Sequence, residues 1–126
     1  TNMKIFQLIV LFILAFLMLA GAFNHLYAPE TYKEFIPDFF PETLAHMLSA
    51  VAEAAIGIAL LIPKYRKWGG LGFFILMISF LPIHIWDLTK DAPAIGSKVT
   101  AIIRIAVQLL FIAAGWWIYK TYRIKS

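Results

Sequence analysis

The sequence predicts an all-α fold: a polytopic membrane four-helix bundle that forms one domain over residues 1–126. Of the 126 residues, 62% are hydrophobic and only 14% are charged, whereas soluble domains average about 45–50% and about 25%. The chain also contains four apolar runs, and each is long enough to cross the ~30 Å of bilayer hydrocarbon. These predicted spans are residues 5–23, 44–62, 68–86 and 99–119.

The charged residues predict the orientation of the spans. In a four-span topology, both termini and the turn between the second and third spans lie on one side. That side carries seven Lys or Arg residues (Lys4, Lys64, Arg66, Lys67, Lys120, Arg123 and Lys125), against three on the other (Lys33, Lys90 and Lys98). Because basic residues concentrate on the cytoplasmic side, we expect a multi-pass protein of the cell inner (plasma) membrane with both termini cytoplasmic. The net charge of +4 therefore reflects topology and does not indicate binding to nucleic acid. The expected partner is the lipid bilayer.

The first span is apolar except for Gln7 and leads to Asn24 and His25 at the membrane surface. Residues 26–40, which follow it, interleave aromatic side chains with four charged residues, and prolines limit any helix there to short pieces. Such a composition is typical of an interfacial segment at headgroup depth. The alternative is that this Pro/aromatic segment forms a lid over a cavity among the spans.

The second span carries a carboxylate, Glu53, near its midpoint. His46, Ser49 and Gly57 share its helical face, because they lie three or four residues apart along the chain. A carboxylate at the bilayer centre costs several kcal/mol, so Glu53 must be protonated, partnered or facing water. One structural alternative is an ion pair with Arg104 of the fourth span, which would lock these two helices together.

The third span contains Pro82 and His84 near its outer end, and residues 87–97 after it are predicted to be a plain polar connector. The fourth span contains Arg104 and Gln108, one helical turn apart. At about 1.5 Å per residue, the three histidines and Arg104 fall in the outward half of the bundle, while Glu53 and Gln108 lie near mid-membrane and would form the floor of a pocket. The sequence therefore predicts an outward-opening polar pocket with six ligand-binding candidates: His25, His46, Glu53, His84, Arg104 and Gln108.

Catalytic chemistry finds little support in the residues. Cysteine is absent, which excludes disulfides and thiolate metal sites. The spacing of the three histidines matches no metal or haem motif, so we expect neither group. Ser49 and His46 are ordinary helical neighbours, and no strained turn presents the hydroxyl as a nucleophile. We therefore name no catalytic residue.

Several short patterns resemble those of the DoxX-like family of small four-span membrane proteins. They are Gly21-x-x-Asn24-His25, Pro29, Tyr32, Ile36-Pro37 and Pro41 in the first half, then Ala52-Glu53, Gly57, Leu60-Leu61, Pro63, Arg66 and Phe80-Leu81-Pro82. The likeness covers about residues 21–86, although His84 stands where that family commonly has a small residue. It implies a four-helix membrane bundle associated with an oxidoreductase system, and His25 and Glu53 are the site residues that match its pattern.

Together these observations lead us to expect an integral membrane component of a redox-linked system that binds a quinone or similar small hydrophobic ligand. Polar pocket residues would hydrogen-bond its carbonyl oxygens, while aromatic side chains hold its ring. The resemblance adds a membrane or soluble redox partner, and homo-oligomerisation stays open, as does whether the protein is an enzyme. The main alternative is a non-enzymatic assembly, chaperone or interaction protein whose buried polar residues are structural, and a transporter is the third.

Overall fold

The computed structural model describes residues 2–125, with side chains to residue 124, and contains four long α-helices and no strand within that range. Residues 1 and 126 of the predicted domain lie outside it. The helices are α1 (Asn2–Tyr27), α2 (Glu42–Leu61), α3 (Arg66–Thr89) and α4 (Lys98–Lys125), with short 3₁₀ helices at Pro29–Phe35 and Pro63–Tyr65. The all-α prediction is confirmed, and each long helix is long and apolar enough to cross a membrane. The chain is a multi-pass membrane protein.

Prolines set the limits of α2. The helix begins directly after Pro41 and ends at Leu61, and both Pro41 and Ile62 have extended backbone angles. Extended geometry at Ile62 is expected because the residue before a proline disfavours helical angles, and Pro63 follows. The short turn at Pro63–Tyr65 then sends the chain back along α3. This turn lies at the same end of the bundle as the start of α1 and the end of α4, and we call that end the terminal end. The opposite end, which carries Pro29–Phe35, is called the cavity end.

One face of each helix supplies the hydrophobic core. On α1, the buried residues Leu11, Leu14, Ala15 and Met18 recur every three or four positions, which places them on one stripe. Leu60, Phe73, Met77 and Ile118 complete the core from the other helices. Large apolar residues such as Phe16, Val51 and Leu110 remain about two-thirds exposed, as expected for side chains that contact lipid.

The helices pack in chain order, α1 on α2, α2 on α3 and α3 on α4, while α1 and α4 scarcely meet. Glycines bring α3 close to both neighbours near the terminal end. A Cβ atom at Gly69 would lie 2.8 Å from the backbone nitrogen of Leu60, and one at Gly70 would lie 2.7 Å from that of Tyr119. Toward the cavity end, facing side chains of α2 and α3 instead line an open space.

Candidate functional site

A cavity of about 600 Å³ lies at the cavity end of the bundle, within the roughly 300–1,000 Å³ typical of small-molecule sites. Its polar lining comes from all four helices and the intervening segment: His25, Tyr32, Ser49, Glu53, Ser79, His84 and Arg104. The remaining walls are apolar or aromatic. Four of the six predicted site residues therefore meet in this space, namely His25, Glu53, His84 and Arg104; His46 and Gln108 do not line it.

The Pro/aromatic segment covers the cavity. Its 3₁₀ helix runs from Pro29 to Phe35, and residues of the segment form much of the wall: Tyr32, Phe35, Ile36, Pro37, Phe39 and Phe40. The Lys90 ammonium donates a hydrogen bond to the Glu34 carbonyl at 2.9 Å, which ties the segment to the end of α3. This placement matches the lid interpretation, while Phe39, at 87% exposed, also fits a headgroup-level aromatic.

Glu53 contacts α1 and not α4. The residue is 5% exposed, and its Oε1 atom lies 3.7 Å from His25 Nε2. Its Oε2 atom is buried and has no hydrogen-bond partner. A Cβ atom at Gly21 would lie 2.5 Å from Oε2, so the carboxylate would have to leave its present position if residue 21 carried a side chain. The Glu53–Arg104 ion pair, the structural alternative considered above, is not formed, because Glu53 faces His25 and Arg104 faces Asp87.

The histidines of the first two helices form a direct pair. His25 Nδ1 and His46 Nδ1 are 3.0 Å apart, so one ring donates a hydrogen bond and the other accepts it. The Tyr32 ring stacks on His25 with centroids 3.8 Å apart. Behind this pair, His46 Nε2 lies 3.6 Å from Glu42 Oε1, one helical turn earlier. His46 therefore reaches the cavity only through His25.

Arg104 is paired with Asp87, a residue that the sequence predicts to lie in a plain polar connector. Helix α3 continues to Thr89, which places Asp87 inside the helix and completely buried. The Arg104 Nη2 atom donates to Asp87 Oδ2 at 2.9 Å, and the backbone N–H of Ala94 donates to Oδ1 at 2.8 Å. The connector prediction is wrong at this position. The sequence signal for the ion pair is an acidic residue at the end of one span, followed after a short loop by a span that contains an arginine.

The other face of Arg104 turns toward the cavity. Its guanidinium carbon lies 4.7 Å from the centre of the Phe35 ring, a cation–π distance, and its Nε atom is buried without a hydrogen-bond partner. His84 lines the same space from α3, and its Nδ1 atom likewise has no partner. Two further unpartnered polar atoms thus accompany the Glu53 carboxylate.

Gln108 has a structural position. Its side-chain nitrogen donates to the Met77 carbonyl at 2.7 Å, so the buried amide links α4 to α3. Gln108 does not line the cavity, and its role in ligand binding stays a prediction. Among the described residues, no group of three or more His, Asp or Glu side chains has the arrangement of a metal site.

Tyr32 lies outside the membrane-spanning helices, and its environment favours the neutral phenol. Burial raises the pKa of Tyr32, the nearby Glu53 charge raises it further, and a hydrogen bond with Asn24 opposes both. The folded protein therefore binds this proton more tightly than the unfolded chain does. The resulting contribution to stability is complete below the ordinary pKa of 10.0 and is lost as the pH rises through the raised value.

We expect the Tyr32 titration to be measurable as tyrosinate absorbance. The difference between the unsubstituted protein and Tyr32→Phe should show a midpoint above pH 10.0, because burial and the Glu53 charge both disfavour the phenolate. In Glu53→Gln the midpoint should fall but remain raised, since burial is the larger cause. A midpoint at or below the ordinary value would contradict the enclosed position of Tyr32.

Comparison with known proteins identifies one family. The model of a family described as Domain of unknown function (DUF8561) matches residues 14–119, a range that includes every cavity residue. A search of curated proteins gave no match, and a search of solved structures gave none either. The DoxX-like resemblance stays a prediction.

Proposed function

The chain belongs to the DUF8561 family, a domain of unknown function, and we propose that it binds a quinone or similar small hydrophobic ligand as a membrane component of a redox-linked system. The proposed site is the cavity under the Pro29–Phe35 segment. The proposed setting is the inner (plasma) membrane, with both termini cytoplasmic and the cavity end outward, as the distribution of basic residues favours.

The observation that carries the proposal is a set of three buried polar atoms without partners in one cavity. They are Glu53 Oε2, His84 Nδ1 and Arg104 Nε, and all three residues line the space. Leaving a buried polar group unsatisfied costs about 1–3 kcal/mol, so the site is suited to a molecule that supplies partners. The apolar rings around them favour a ligand whose remaining surface is flat and hydrophobic.

A quinone and its hydroquinone form have this chemistry, because two oxygens project from a flat ring. In the quinone both oxygens accept hydrogen bonds, and in the hydroquinone their O–H groups can also donate to a carboxylate such as Glu53. The Nε–H group of Arg104 is a donor at every accessible pH, and the neutral Tyr32 phenol is a second donor. Phe35 and Phe80 line the same space and supply faces for the ring. The DoxX-like pattern adds support, since His25 and Glu53, the two residues that match it, both line this cavity.

The test is direct binding of decylubiquinone and menadione to the protein in lipid nanodiscs, together with mass spectrometry of the lipids that co-purify with it. Glu53→Gln should weaken binding of the reduced probe, decylubiquinol, at least tenfold, because its hydroxyl group can donate to the carboxylate and a hydrogen bond to a charged group contributes about 1.5–3 kcal/mol. Glu30→Gln makes the same change at an exposed position and should leave binding intact. If neither probe binds the folded protein, the proposal is refuted.

A second candidate is an assembly or interaction protein without ligand chemistry. It is favoured by the interhelical contacts that the polar residues make, His25 with His46 at 3.0 Å and Arg104 with Asp87 at 2.9 Å. Under this alternative, Glu53→Gln would lower thermal stability and leave binding of the quinone probes unchanged. The two functions are thus separated by measuring binding and unfolding on one variant.

A further inference from the structure

We propose that Glu42, His46, His25 and Glu53 form a proton path between the membrane surface at the cavity end and the buried cavity. This inference rests on the proposed ligand site, because the path ends at Glu53, which lines it. The four side chains follow one another in space although they come from two helices. Their side-chain distances are 3.6 Å from Glu42 to His46, 3.0 Å between the histidines and 3.7 Å from His25 to Glu53.

The burial of the four residues gives the path a direction. The Glu42 side chain is 48% exposed and sits at the first residue of α2, whereas the His46 side chain is 9% exposed. His25 is equally enclosed, and the Glu53 side chain is 6% exposed. The path therefore begins in contact with solvent and ends inside the bundle. Each of its two longer steps needs to shorten by only about 0.8 Å to reach normal hydrogen-bonding distance.

The contact between the two Nδ1 atoms makes proton passage chemically consistent. With both rings neutral, one Nδ1 carries the proton and the other accepts its hydrogen bond. Suppose His46 holds its proton on Nδ1 and His25 holds one on Nε2. A proton from Glu42 then binds His46 Nε2, the His46 Nδ1 proton moves to His25 Nδ1, and the His25 Nε2 proton moves to Glu53 Oε1.

The step leaves every atom accounted for. Glu42 has lost one proton, which water then replaces, and Glu53 has gained one. Both histidines are again neutral, now with the proton on Nε2 of His46 and on Nδ1 of His25. The reverse sequence returns the proton to the surface and restores the starting tautomers. No electron moves, so the path requires no oxidant or reductant. Its function would be to equilibrate the Glu53 carboxyl with the outside, as a ligand that takes up or releases protons requires.

Neighbouring groups hold the path in place and set its electrostatics. From the Pro29–Phe35 segment, Tyr32 stacks on His25 and lies 6.1 Å from His46 between ring centroids. Across the cavity from Glu53, the ionisable groups are Arg104 on α4 and His84 on α3. The charge of Arg104 is offset by its Asp87 partner at 2.9 Å, and the basic group that faces Glu53 directly is His25, at 3.7 Å.

The experiment follows Glu53 by infrared difference spectroscopy on the full chain in nanodiscs without added ligand. The band of the protonated carboxyl is assigned by its loss in Glu53→Gln, and its rate of change is recorded after a pH jump and after transfer to D₂O. In His46→Gln, an amide replaces the ring and cannot pass a proton through. We expect this rate to fall about 100-fold, the lower end of what a positioned proton-transfer group contributes.

Two variants at exposed carboxylates complete the experiment: Glu42→Gln is a second test of the path, and Glu30→Gln is the control. Glu42→Gln removes the entry group at the helix surface and should also slow the Glu53 band, whereas Glu30→Gln should not. If His46→Gln does not fold, Glu42→Gln decides the question. Unchanged rates in both variants would overturn the path, as would a Glu53 that stays ionised at every pH at which the protein is folded. Decylubiquinone binding, measured on the same samples, tests the ligand site separately.

Discussion

Asp87→Ala is expected to lower the free energy of unfolding by about 3–5 kcal/mol, because it leaves the Arg104 charge in the bundle without its partner. Asp87 is completely buried, and the Arg104 side chain is 16% exposed. The same substitution removes the acceptor for the backbone N–H of Ala94, which now donates at 2.8 Å. The measurement is reversible unfolding in mixed micelles by denaturing detergent, compared with the unsubstituted protein under identical conditions.

Three companion variants separate the ion pair from general damage. Asp91→Ala removes an exposed carboxylate only four residues away and should change stability by less than about 0.5 kcal/mol. Arg104→Leu and the double variant Asp87→Leu/Arg104→Leu complete the comparison. The double variant should be more stable than Asp87→Ala, since removing both charges leaves none of them unpaired. An Asp87→Ala loss no larger than that of Asp91→Ala would refute the pairing.

The helices of this protein are readable from the sequence because lipid imposes a simple requirement. A segment that crosses hydrocarbon must satisfy its backbone hydrogen bonds internally, so long apolar runs become helices. Each predicted span falls within one helix, apart from Ile62, which the extended backbone before Pro63 excludes. The helices also extend beyond the apolar runs, and α3 reaches Thr89, three residues past the predicted end at Trp86.

That extension explains the main error in the predicted site. Hydropathy ends the third span at Trp86, so Asp87 appears to belong to a solvent-exposed loop. In the structure one more helical position rotates Asp87 into the bundle, where it meets Arg104 from the following helix. Glu53 is then free to face His25. Depth along a helix is readable from residue counting, but the direction of each side chain depends on helix rotation, which the apolar pattern of a lipid-exposed helix defines poorly.

The two histidines on either side of the α1–α2 contact show the same limit. Counting residues predicts that His25 and His46 lie at the same end of the bundle, and they do. It does not predict that their rings meet at 3.0 Å, or that Tyr32 stacks on one of them. Those contacts depend on how closely α1 approaches α2, and that approach is set by small residues on their facing surfaces.

Gly21→Ala tests this close approach at the site and is expected to weaken binding of decylubiquinol, whose hydroxyl groups can donate to Glu53, about 10- to 100-fold. The added Cβ atom would lie 2.5 Å from Glu53 Oε2 and 3.1 Å from Cδ. Because a carboxylate at the end of a flexible side chain moves more easily than a helix backbone, Glu53 should rotate away and lose its contact with His25. The expected loss corresponds to a hydrogen bond to a charged group, about 1.5–3 kcal/mol.

The same substitution should change the free energy of unfolding little, since alanine favours a helix by about 1 kcal/mol over glycine and offsets part of the crowding. Gly72→Ala is the matched control: its Cβ atom would lie 3.0 Å from the Ile56 side chain, and neither residue lines the cavity.

A second substitution shows whether the carboxylate transmits the effect. Glu53→Asp shortens the side chain by one methylene and removes the clash, so Gly21→Ala/Glu53→Asp should bind the probe more tightly than Gly21→Ala alone. Equal affinities of these two variants would mean that residue 21 acts on the ligand by another route. Restored affinity would instead establish that the glycine is needed at this position because a carboxylate occupies the space beside it.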